Sequence, residues 1–346
     1  MTHDMMQAAM DAVALHGGLS KASVALNIPR TTLETRYRRA QANKLTPNGN
    51  PNKPEAEFEY TPLPNEGLTF DELVEERVAR FKKKQAYEDA RRLIRVSVKL
   101  DGPIGIWHFG DPHIDDDGTD LEQLLRDAQF VRKTPGLFGA NVGDTTNNWV
   151  GRLARLWGEQ HTTAPESWTL AEGFLRLVDW LYLIGGNHDA WSGAGDPIKW
   201  IQRGKSAPYM SSECRLELKF PNGNTCRINA HHDFNGHSQY NPAHGPMKAT
   251  MFGHRDHIAV AGHRHISGHG VLKDASTDTI LHSFLVAGYK IYDRYARDKG
   301  FRDQRISPGV FTIIHPERDN THPDFISHFW SMEAGLDYLK FLRKGK

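Results

Sequence analysis

The chain has 346 residues, of which 38% are hydrophobic and 25% are charged, a composition that excludes wholesale disorder and predicts one large domain plus a smaller one. Its 43 Lys and Arg residues almost balance its 42 Asp and Glu residues, so the overall charge gives no reason to expect a polyanionic partner. With only Cys214 and Cys226 as cysteines, and no apolar run of about 18 residues, the sequence favours a reducing cytoplasm over a disulfide scaffold or a membrane protein.

Three short helices are predicted within residues 4–42. Gly17-Gly18 ends the first helix, and Ser20 is expected to cap the second. Pro29 stands just ahead of the third helix, which is predicted to run from about residue 30 to residue 41.

The third of these helices is basic. Between Gly18 and Lys44 there are six Lys or Arg residues and one acid, so the local charge is +5 (6 − 1). The segment Gly18–Leu33 resembles the helix-turn-helix modules of bacterial and phage regulators, in which a helix of small residues precedes the pattern Ile-Pro-x-Thr/Ser-Thr-Leu. The resemblance implies a DNA-binding module over residues 1–44 whose last helix enters the major groove. The predicted DNA-contacting residues are Arg30, Thr31, Thr32, Arg36, Arg38 and Arg39. A basic face on a small bundle used for self-association is the alternative.

Residues 45–66 hold five prolines among Asn and Gly residues, which predicts a semi-extended linker. Thr69 and Glu72 then form the pattern of a capping box, followed by a charged helix to about Arg92. Residues 94–100 alternate between apolar and polar side chains, as in a strand. Asp101-Gly102 is typical of a hairpin turn, so we expect this strand to pair with a second, more buried one at 104–109.

The remainder of the chain mixes strands with helices. Predicted helices at about 119–133 and 166–179 are interleaved with strands at about 138–142, 181–184, 226–231 and 258–261. Later strands, at about 280–287, 309–314 and 325–330, come without long helices between them. The pattern predicts an α/β fold over residues 67–346, a β-sandwich of two sheets flanked by helices, beside the small all-α N-terminal domain.

Five short segments rich in Asp, Asn and His follow predicted strands. They are Asp111-Pro-His113, Gly143-Asp-Thr-Thr-Asn147, Gly186-Asn-His-Asp189, His231-His-Asp233 and Gly262-His-Arg-His265. Loops at strand ends are free to carry polar groups to one edge, so the set predicts a metal centre there. These ligand types suit Mn, Fe, Zn or Mg rather than Cu(I). Two such ions sharing a carboxylate would activate water and neutralise the charge of a phosphate.

Two details in and beside these segments can be reasoned from the residues themselves. His231 and His232 must point to opposite faces of a strand, and His232 shares its face with apolar residues, so His232 is the preferred ligand. The run Asp115–Asp117 is expected to be a solvated loop or the lead-in to a helix.

The ordered set of segments resembles the calcineurin-like metallophosphoesterase family over about residues 100–290. That family has two metal ions at one end of a two-sheet sandwich. Many of its members carry an acid or Asn at the position of Asn147, which implies that Asn147 shapes its loop rather than binds a metal. The resemblance implies that Asp111, His113 and His265 hold the first metal, that Asn187, one of His231 and His232, and His263 hold the second, and that Asp144 bridges both. It also implies that His188 is the acid-base residue beside the scissile phosphate, which agrees with the ability of an imidazole to give a proton to a leaving alkoxide near neutral pH.

The metal centre does not by itself distinguish between phosphate-ester substrates, but the basic helix-turn-helix favours DNA. The leading hypothesis is therefore a nuclease-type phosphodiesterase that uses two divalent ions, Mn²⁺ first with Fe, Zn or Mg as alternatives, and a metal-activated hydroxide. It resembles bacterial and phage DNA repair exonuclease subunits and would act in the cytoplasm of a bacterium or a phage-infected host. No obvious extension for gripping an ATPase follows Phe329, so an ATPase partner and the oligomeric state stay open.

Two other functions are compatible with the sequence. One is a phosphomonoesterase or small-molecule phosphodiesterase whose N-terminal helices serve assembly. The other is a DNA-binding regulator with an inactive phosphoesterase scaffold, which the complete set of ligand types argues against.

Overall fold

The computed structural model describes residues 1–48, 66–149, 151–190, 195–298, 300 and 307–344. The predicted linker at 45–66 lies almost entirely outside these residues. The chain forms two compact units, Met1–Glu75 and Glu76–Lys346. Within the described residues, no helix is both long enough and apolar enough to cross a membrane.

Within the N-terminal unit, the described residues 1–48 form three helices, α1 (His3–His16), α2 (Leu19–Ala25) and α3 (Arg30–Ala42). Gly17 ends α1 in the left-handed conformation, with φ 68°, and its amide donates to the carbonyl of Val13. The prediction that Ser20 caps α2 is wrong, because Gly18 is the N-cap and the helix has already begun at Leu19. The two glycines complete the chain reversal by themselves and leave Ser20 inside the first turn.

The core of these three helices is small and made mostly of alanine. Ala9 and Ala12 of α1 pack with Ala22 of α2 and Leu33 of α3, and all four side chains are buried. Small side chains let the three helices approach closely, so a core of few residues can hold them together.

The C-terminal unit begins within α4 (Phe70–Arg91), whose first turn is closed by the predicted capping box between Thr69 and Glu72. Its strands are β1 (Ile94–Ser97), β2 (Ile104–Phe109), β3 (Leu137–Asn141), β4 (Trp180–Ile184), β5 (Tyr209–Met210), β6 (Glu213–Lys219), β7 (Thr225–His231), β8 (Ile258–Ala261), β9 (Gly268–Lys273), β10 (Ile280–Leu285), β11 (Gly309–Ile314) and β12 (Ile326–Phe329). Its further helices are α5 (Leu121–Lys133), α6 (Ala164–Leu177), α7 (Pro197–Ile201), α8 (His244–Phe252), α9 (Arg294–Asp298) and α10 (Met332–Arg343), together with a 3₁₀ helix at Gly151–Glu159.

The strands in the described part of the chain form two mixed sheets of six strands each. The first has the order β1-β6-β7-β8-β10-β9, and the second has the order β12-β11-β2-β3-β4-β5. In the second sheet β2 to β5 run parallel, whereas β11 and β12 are antiparallel to their neighbours. The predicted fold class, an α/β sandwich of two sheets flanked by helices beside a small helical domain, is confirmed.

The predicted hairpin across Asp101-Gly102 is wrong. β1 pairs with β6 at the edge of the first sheet, while β2 lies between β3 and β11 in the second. Every residue of β2 is buried, which suits a central strand covered on both faces, whereas β1 alternates between half-buried and exposed positions, as an edge strand does. Asp101-Gly102 can form a reverse turn, but the sheet that each strand joins follows from how deeply the strand is buried.

The described residues of the C-terminal unit form apolar clusters between the two sheets and on their outer faces. One core fills the space between the two sheets, with Ile106, Ile228 and Phe284 among its fully buried members. A second core lies between the second sheet and helices α5, α6 and α10. A smaller cluster around Phe234 and Leu285 lies on the outer face of the first sheet. The sandwich holds the ends of β2, β3, β4, β7 and β8 rigidly, and the metal-ligand candidates follow these strands.

Candidate metal centre

The first group of potential ligands is Asp111, His113 and His265. Their ligand atoms all lie within 4.8 Å of one another. Nε2 of His265 lies 3.2 Å from Oδ2 of Asp111 and 3.2 Å from Nε2 of His113. Asp111 and His113 follow β2, and His265 follows β8, so the two sheets together supply this group.

The second group converges on one nitrogen of His232. Its Nε2 lies 3.1 Å from Oδ2 of Asp144, 2.9 Å from Oδ1 of Asn187 and 3.1 Å from Nδ1 of His263. The other ring nitrogen, Nδ1, lies 2.9 Å from the carbonyl oxygen of Val142, which can only accept, so Nδ1 donates there. When the ring is neutral, that bond fixes the tautomer in which Nε2 presents its lone pair to the group, as metal-ligating histidines do.

Asp144 lies between the two groups. Its Oδ2 is 3.1 Å from Nε2 of His232 on one side and 4.0 Å from Nε2 of His113 on the other. A carboxylate in this position can be shared by two cations.

The backbone at the ligand positions is unusual. His113, Asp144, His263 and His265 all have positive φ, at 38°, 51°, 67° and 50°. Left-handed backbone is costly for residues other than glycine and concentrates at functional sites. Here it turns each chain segment sharply at the end of its strand, which brings the side chains to a common point.

Glycines beside the ligands are required by space. A Cβ atom at Gly262 would collide with the carboxylate of Asp111, and one at Gly186 would collide with that of Asp144. Gly143, with φ 115°, could not carry a side chain either, because its Cβ would meet the ring of His232. The Gly-Asp, Gly-Asn-His and Gly-His patterns therefore reflect close packing around the ligand atoms.

The buried carboxylates of Asp111 and Asp144 favour a cation at this site, because buried negative charge must be compensated. Asp111 is 0% exposed and Asp144 is 1% exposed, and Oδ1 of Asp111 and Nδ1 of His113 are buried without a hydrogen-bond partner. Burial, and then the neighbouring His265, hold the pKa of His113 well below its usual range, so its ring is neutral. Burial acts to lower the pKa of His232 too, but the Asp144 carboxylate outweighs it and raises that pKa to about 10. A divalent cation would compensate both carboxylates in place of a proton on His232. These buried His and Asp groups could bind metal ions.

His231 and His232 have different surroundings. His231 faces away from the ligand groups, with Nε2 3.4 Å from Oε2 of Glu213 and its ring centroid 4.2 Å from that of Phe234. Burial alternates along β7, and Ala230 is the last residue of the strand whose side chain is buried. His232 continues on the buried face of the strand. It is therefore His232, and not His231, that lies beside Asp144, Asn187 and His263.

His188 stands beside the ligand groups without joining either. Its backbone amide donates to Oδ1 of Asp144 over 2.9 Å, and its Nδ1 donates to the carbonyl of Asn147. Its ring is 5.2 Å from that of His113 and 5.5 Å from that of Trp149, nearly perpendicular to both. With Nδ1 engaged, Nε2 is the atom left to exchange a proton.

The predicted DNA-contacting face of α3 is a second candidate site. Arg30, Thr31, Arg38 and Arg39 are exposed, and Thr32 and Arg36 are half-buried. The buried side chains of this helix are Leu33 and Ala40. Nη2 of Arg38 forms an ion pair of 2.8 Å with Oε1 of Glu34. The helix therefore presents a cationic surface to solvent.

Comparison with known protein families supports the helix-turn-helix prediction for the N-terminal residues. Residues 2–44 match the family model of the helix-turn-helix Psq domain. These residues form a helix-turn-helix module. No curated protein sequence matches the chain. Among solved structures, the chain is similar to the NAD nucleotidase (NadN) of Haemophilus influenzae, with a TM-score of 0.34 and 10% sequence identity. The alignment covers 66% of this chain and 49% of that one, so this chain spans about half the length of the nucleotidase.

Two residues that sequence reasoning gave no functional role tie the ligand loops together. Asp189 accepts from the amide of Thr145 over 2.9 Å and from the amide of Gly186 over 2.7 Å, which joins the loops that carry Asp144 and Asn187. Burial, and then the charge of Asp144, raise the pKa of Asp189 to about 8. Its position at the end of Gly-Asn-His-Asp was the available signal.

Asp115 is the second of these residues, and the expectation of a solvated loop is wrong for it. Asp115 is 1% exposed and accepts from the amide of Asn147 over 2.7 Å and from the hydroxyl of Ser167 over 2.7 Å. Asp117, by contrast, is exposed. Asn147 also donates from Nδ2 to Oδ2 of Asp116 over 2.7 Å, so its contacts hold the loop that His188 rests on.

Proposed function

We propose that this chain is a two-metal phosphodiesterase that acts on DNA. The observation that carries the proposal is the position of the Asp144 carboxylate, which lies between His113 of one ligand group and His232 of the other. A buried carboxylate shared by two His-rich groups is the arrangement that a dinuclear hydrolase requires.

In this proposal Asp111, His113 and His265 would hold one cation, Asn187, His232 and His263 would hold the other, and Asp144 would be shared. When bound, the two cations supply Lewis-acid activation of water and neutralise the charge of the phosphate. Mixed carboxylate, amide and imidazole ligands favour Mn²⁺, with Fe, Zn or Mg as alternatives.

His188 has the role of general acid. In the cationic ring both nitrogens carry a proton: Nδ1 donates to the carbonyl of Asn147, and Nε2 gives its proton to the leaving oxygen. The bond from its amide to Asp144 fixes the ring relative to the shared carboxylate. Trp149, whose ring meets that of His188 edge-on at 5.5 Å, limits the ring on its other side.

The helix-turn-helix module is the reason for choosing DNA among the phosphate esters. Cationic side chains on α3 would contact backbone phosphates and release counterions, which makes binding dependent on salt. A module that binds DNA raises the local concentration of phosphodiester bonds around the hydrolytic unit to which it is joined.

One assay separates the possible substrates. The full chain with Mn²⁺ is offered double-stranded DNA, single-stranded DNA, a generic phosphodiester and a generic phosphomonoester, beside His188→Ala and the exposed control His254→Gln. The proposal expects cleavage of DNA and of the diester by the wild type and the control only. Cleavage of the monoester alone would favour the phosphomonoesterase, and no cleavage with two ions bound would favour the regulator.

A further inference from the structure

Three histidines outside the candidate metal centre meet where the two sheets come together at one side of the sandwich. They are His269 on β9, His282 on β10 and His328 on β12, and their ligand nitrogens lie within 4.8 Å of one another. β9 is the last strand of one sheet and β12 is the last strand of the other. The cluster therefore joins the edges of the two sheets.

The strand registers explain why these rings converge. His269 lies opposite Phe284 in the antiparallel pair of β9 and β10, and His282 is two residues before Phe284 on the same face. Phe284 belongs to the core between the sheets. His328 lies opposite Thr312, whose hydroxyl reaches the buried His108, so it also points towards the space between the sheets.

The distances suit a tetrahedral cation. Nε2 of His269 lies 3.2 Å from Nδ1 of His282. Zinc bound to imidazole at about 2.0–2.1 Å places adjacent ligand nitrogens about 3.3 Å apart in a tetrahedron. The ring centroid of His328 lies 4.1 Å from that of His269, and its ligand nitrogen lies within 4.8 Å of the other two.

Burial also favours the neutral form of the three rings. Burial, and then the neighbouring histidines, lower the pKa of His269 to about 3 and that of His282 to about 4. Burial also lowers the pKa of His328. Neutral imidazoles without a carboxylate suit Zn²⁺, Ni²⁺ or Cu²⁺ and disfavour the harder Mn²⁺ and Mg²⁺.

We propose that His269, His282 and His328 form a third metal site, which takes a zinc ion and links the edges of the two sheets. The site differs from the candidate dinuclear centre in place and in ligand type. His282 is buried while His269 and His328 are half-buried, so the fourth position of the ion is open to water.

A stack of aromatic rings that binds no metal is the competing account of the same residues. The ring of His269 lies parallel to that of Phe284, with centroids 4.5 Å apart, and the ring of His328 lies 5.3 Å from the same phenylalanine. This account makes a different prediction for the substitution His328→Phe, which keeps an aromatic ring but removes the ligand.

The test is the zinc content of the full chain. Wild type, His328→Gln, His328→Phe and the exposed control His254→Gln are loaded with Zn²⁺, dialysed against zinc-free buffer and measured by inductively coupled plasma mass spectrometry. The ligands of the dinuclear centre are intact in all four proteins, so their zinc cancels in the difference. Both His328 variants should hold one zinc ion fewer than wild type and the control. Their affinity at this site should fall by more than the 10–100-fold or so that loss of an outer partner of a metal ligand costs.

Equal zinc contents in all four proteins would overturn the proposal. If the His328 variants do not fold, as judged by circular dichroism, His269→Gln on the opposite sheet takes their place, with the same two outcomes. A second readout is the rise in melting temperature caused by Zn²⁺, which should be smaller in His328→Phe than in wild type. An equal rise in the two proteins would favour the aromatic stack.

Discussion

The candidate metal centre and the exposed face of α3 are built in opposite ways. The candidate ligands come from the ends of strands in both sheets, and Asp111 and Asp144 among them are fully buried. The candidate DNA contacts come from consecutive turns of one helix, and Arg38 and Arg39 among them are exposed. A buried, convergent site fails when one charge is removed, because nothing nearby can replace it. On an exposed helix each cation adds a small share, which water and salt reduce.

The largest effect is expected for Asp144→Asn. The amide keeps the shape of the side chain but removes the charge shared by the two ligand groups, so hydrolysis of a phosphodiester with Mn²⁺ should fall about 10³-fold, on the order of 4 kcal/mol in activation free energy. Asp278→Asn is the matched control, since Asp278 also has positive φ, at 59°, but is exposed. Equal activities of the two variants would break the contrast between buried and exposed sites.

A smaller loss is expected for His188→Ala. Removing a general acid costs about 10²–10⁴-fold in rate, and the ligand groups are untouched, so kcat should fall while two Mn²⁺ ions remain bound. Steady-state kinetics and metal analysis of the same sample check this. Loss of metal together with activity would instead make His188 a structural support of the ligand loops.

Replacing a buried carboxylate that lies outside the candidate metal centre should have a modest effect on stability, and that effect should depend on pH. Asp127 is 1% exposed, and burial raises its pKa to about 7, although the hydroxyl of Tyr289 donates to it over 2.9 Å. Since the folded pKa lies above the unfolded one, the stability that Asp127 contributes is complete below about pH 4 and is lost as the pH rises to about 7. Asp127→Asn should therefore gain stability relative to wild type over this range, on the order of 1–2 kcal/mol. Urea unfolding at pH 4 and pH 7.5 measures the change, and a constant difference between the two proteins would contradict it.

The smallest effect is expected on α3. Arg39→Ala should weaken DNA binding only a few-fold at physiological salt, and should reduce the slope of log affinity against log salt by about 1. Lys205→Ala, an exposed cation in the other unit, is the control. Fluorescence anisotropy with a DNA duplex at several salt concentrations checks the slope. An unchanged slope for Arg39→Ala would remove this residue from the phosphate contacts.

The sequence predicted most strands well because burial on a sheet has a clear period. Strands β3, β4, β7, β8 and β11 begin within one residue of their predicted positions. Pairing was harder, as the failed hairpin between β1 and β2 shows, since a local turn signal does not reveal which sheet a strand will join. The strand β5, of only two residues, is too short to show a period.

The candidate ligands were recognisable because each follows a strand. Asp144, Asn187 and His263 also come directly after a glycine that must lack a side chain. Asp115 and Asp189 were not, because they act on backbone amides of distant loops, at Asn147 and Thr145. No local pattern records such a bond. For the same reason, the group of His269, His282 and His328 emerges only when the two sheets are folded together.

The most direct test of the two-metal centre is anomalous scattering from a crystal of the full chain grown with Mn²⁺. We expect two manganese peaks on either side of the Asp144 carboxylate, about 3.5–4 Å apart, one beside His113 and one beside His232. A single peak, or peaks that do not share Asp144, would contradict the account of this chain as a two-metal phosphoesterase.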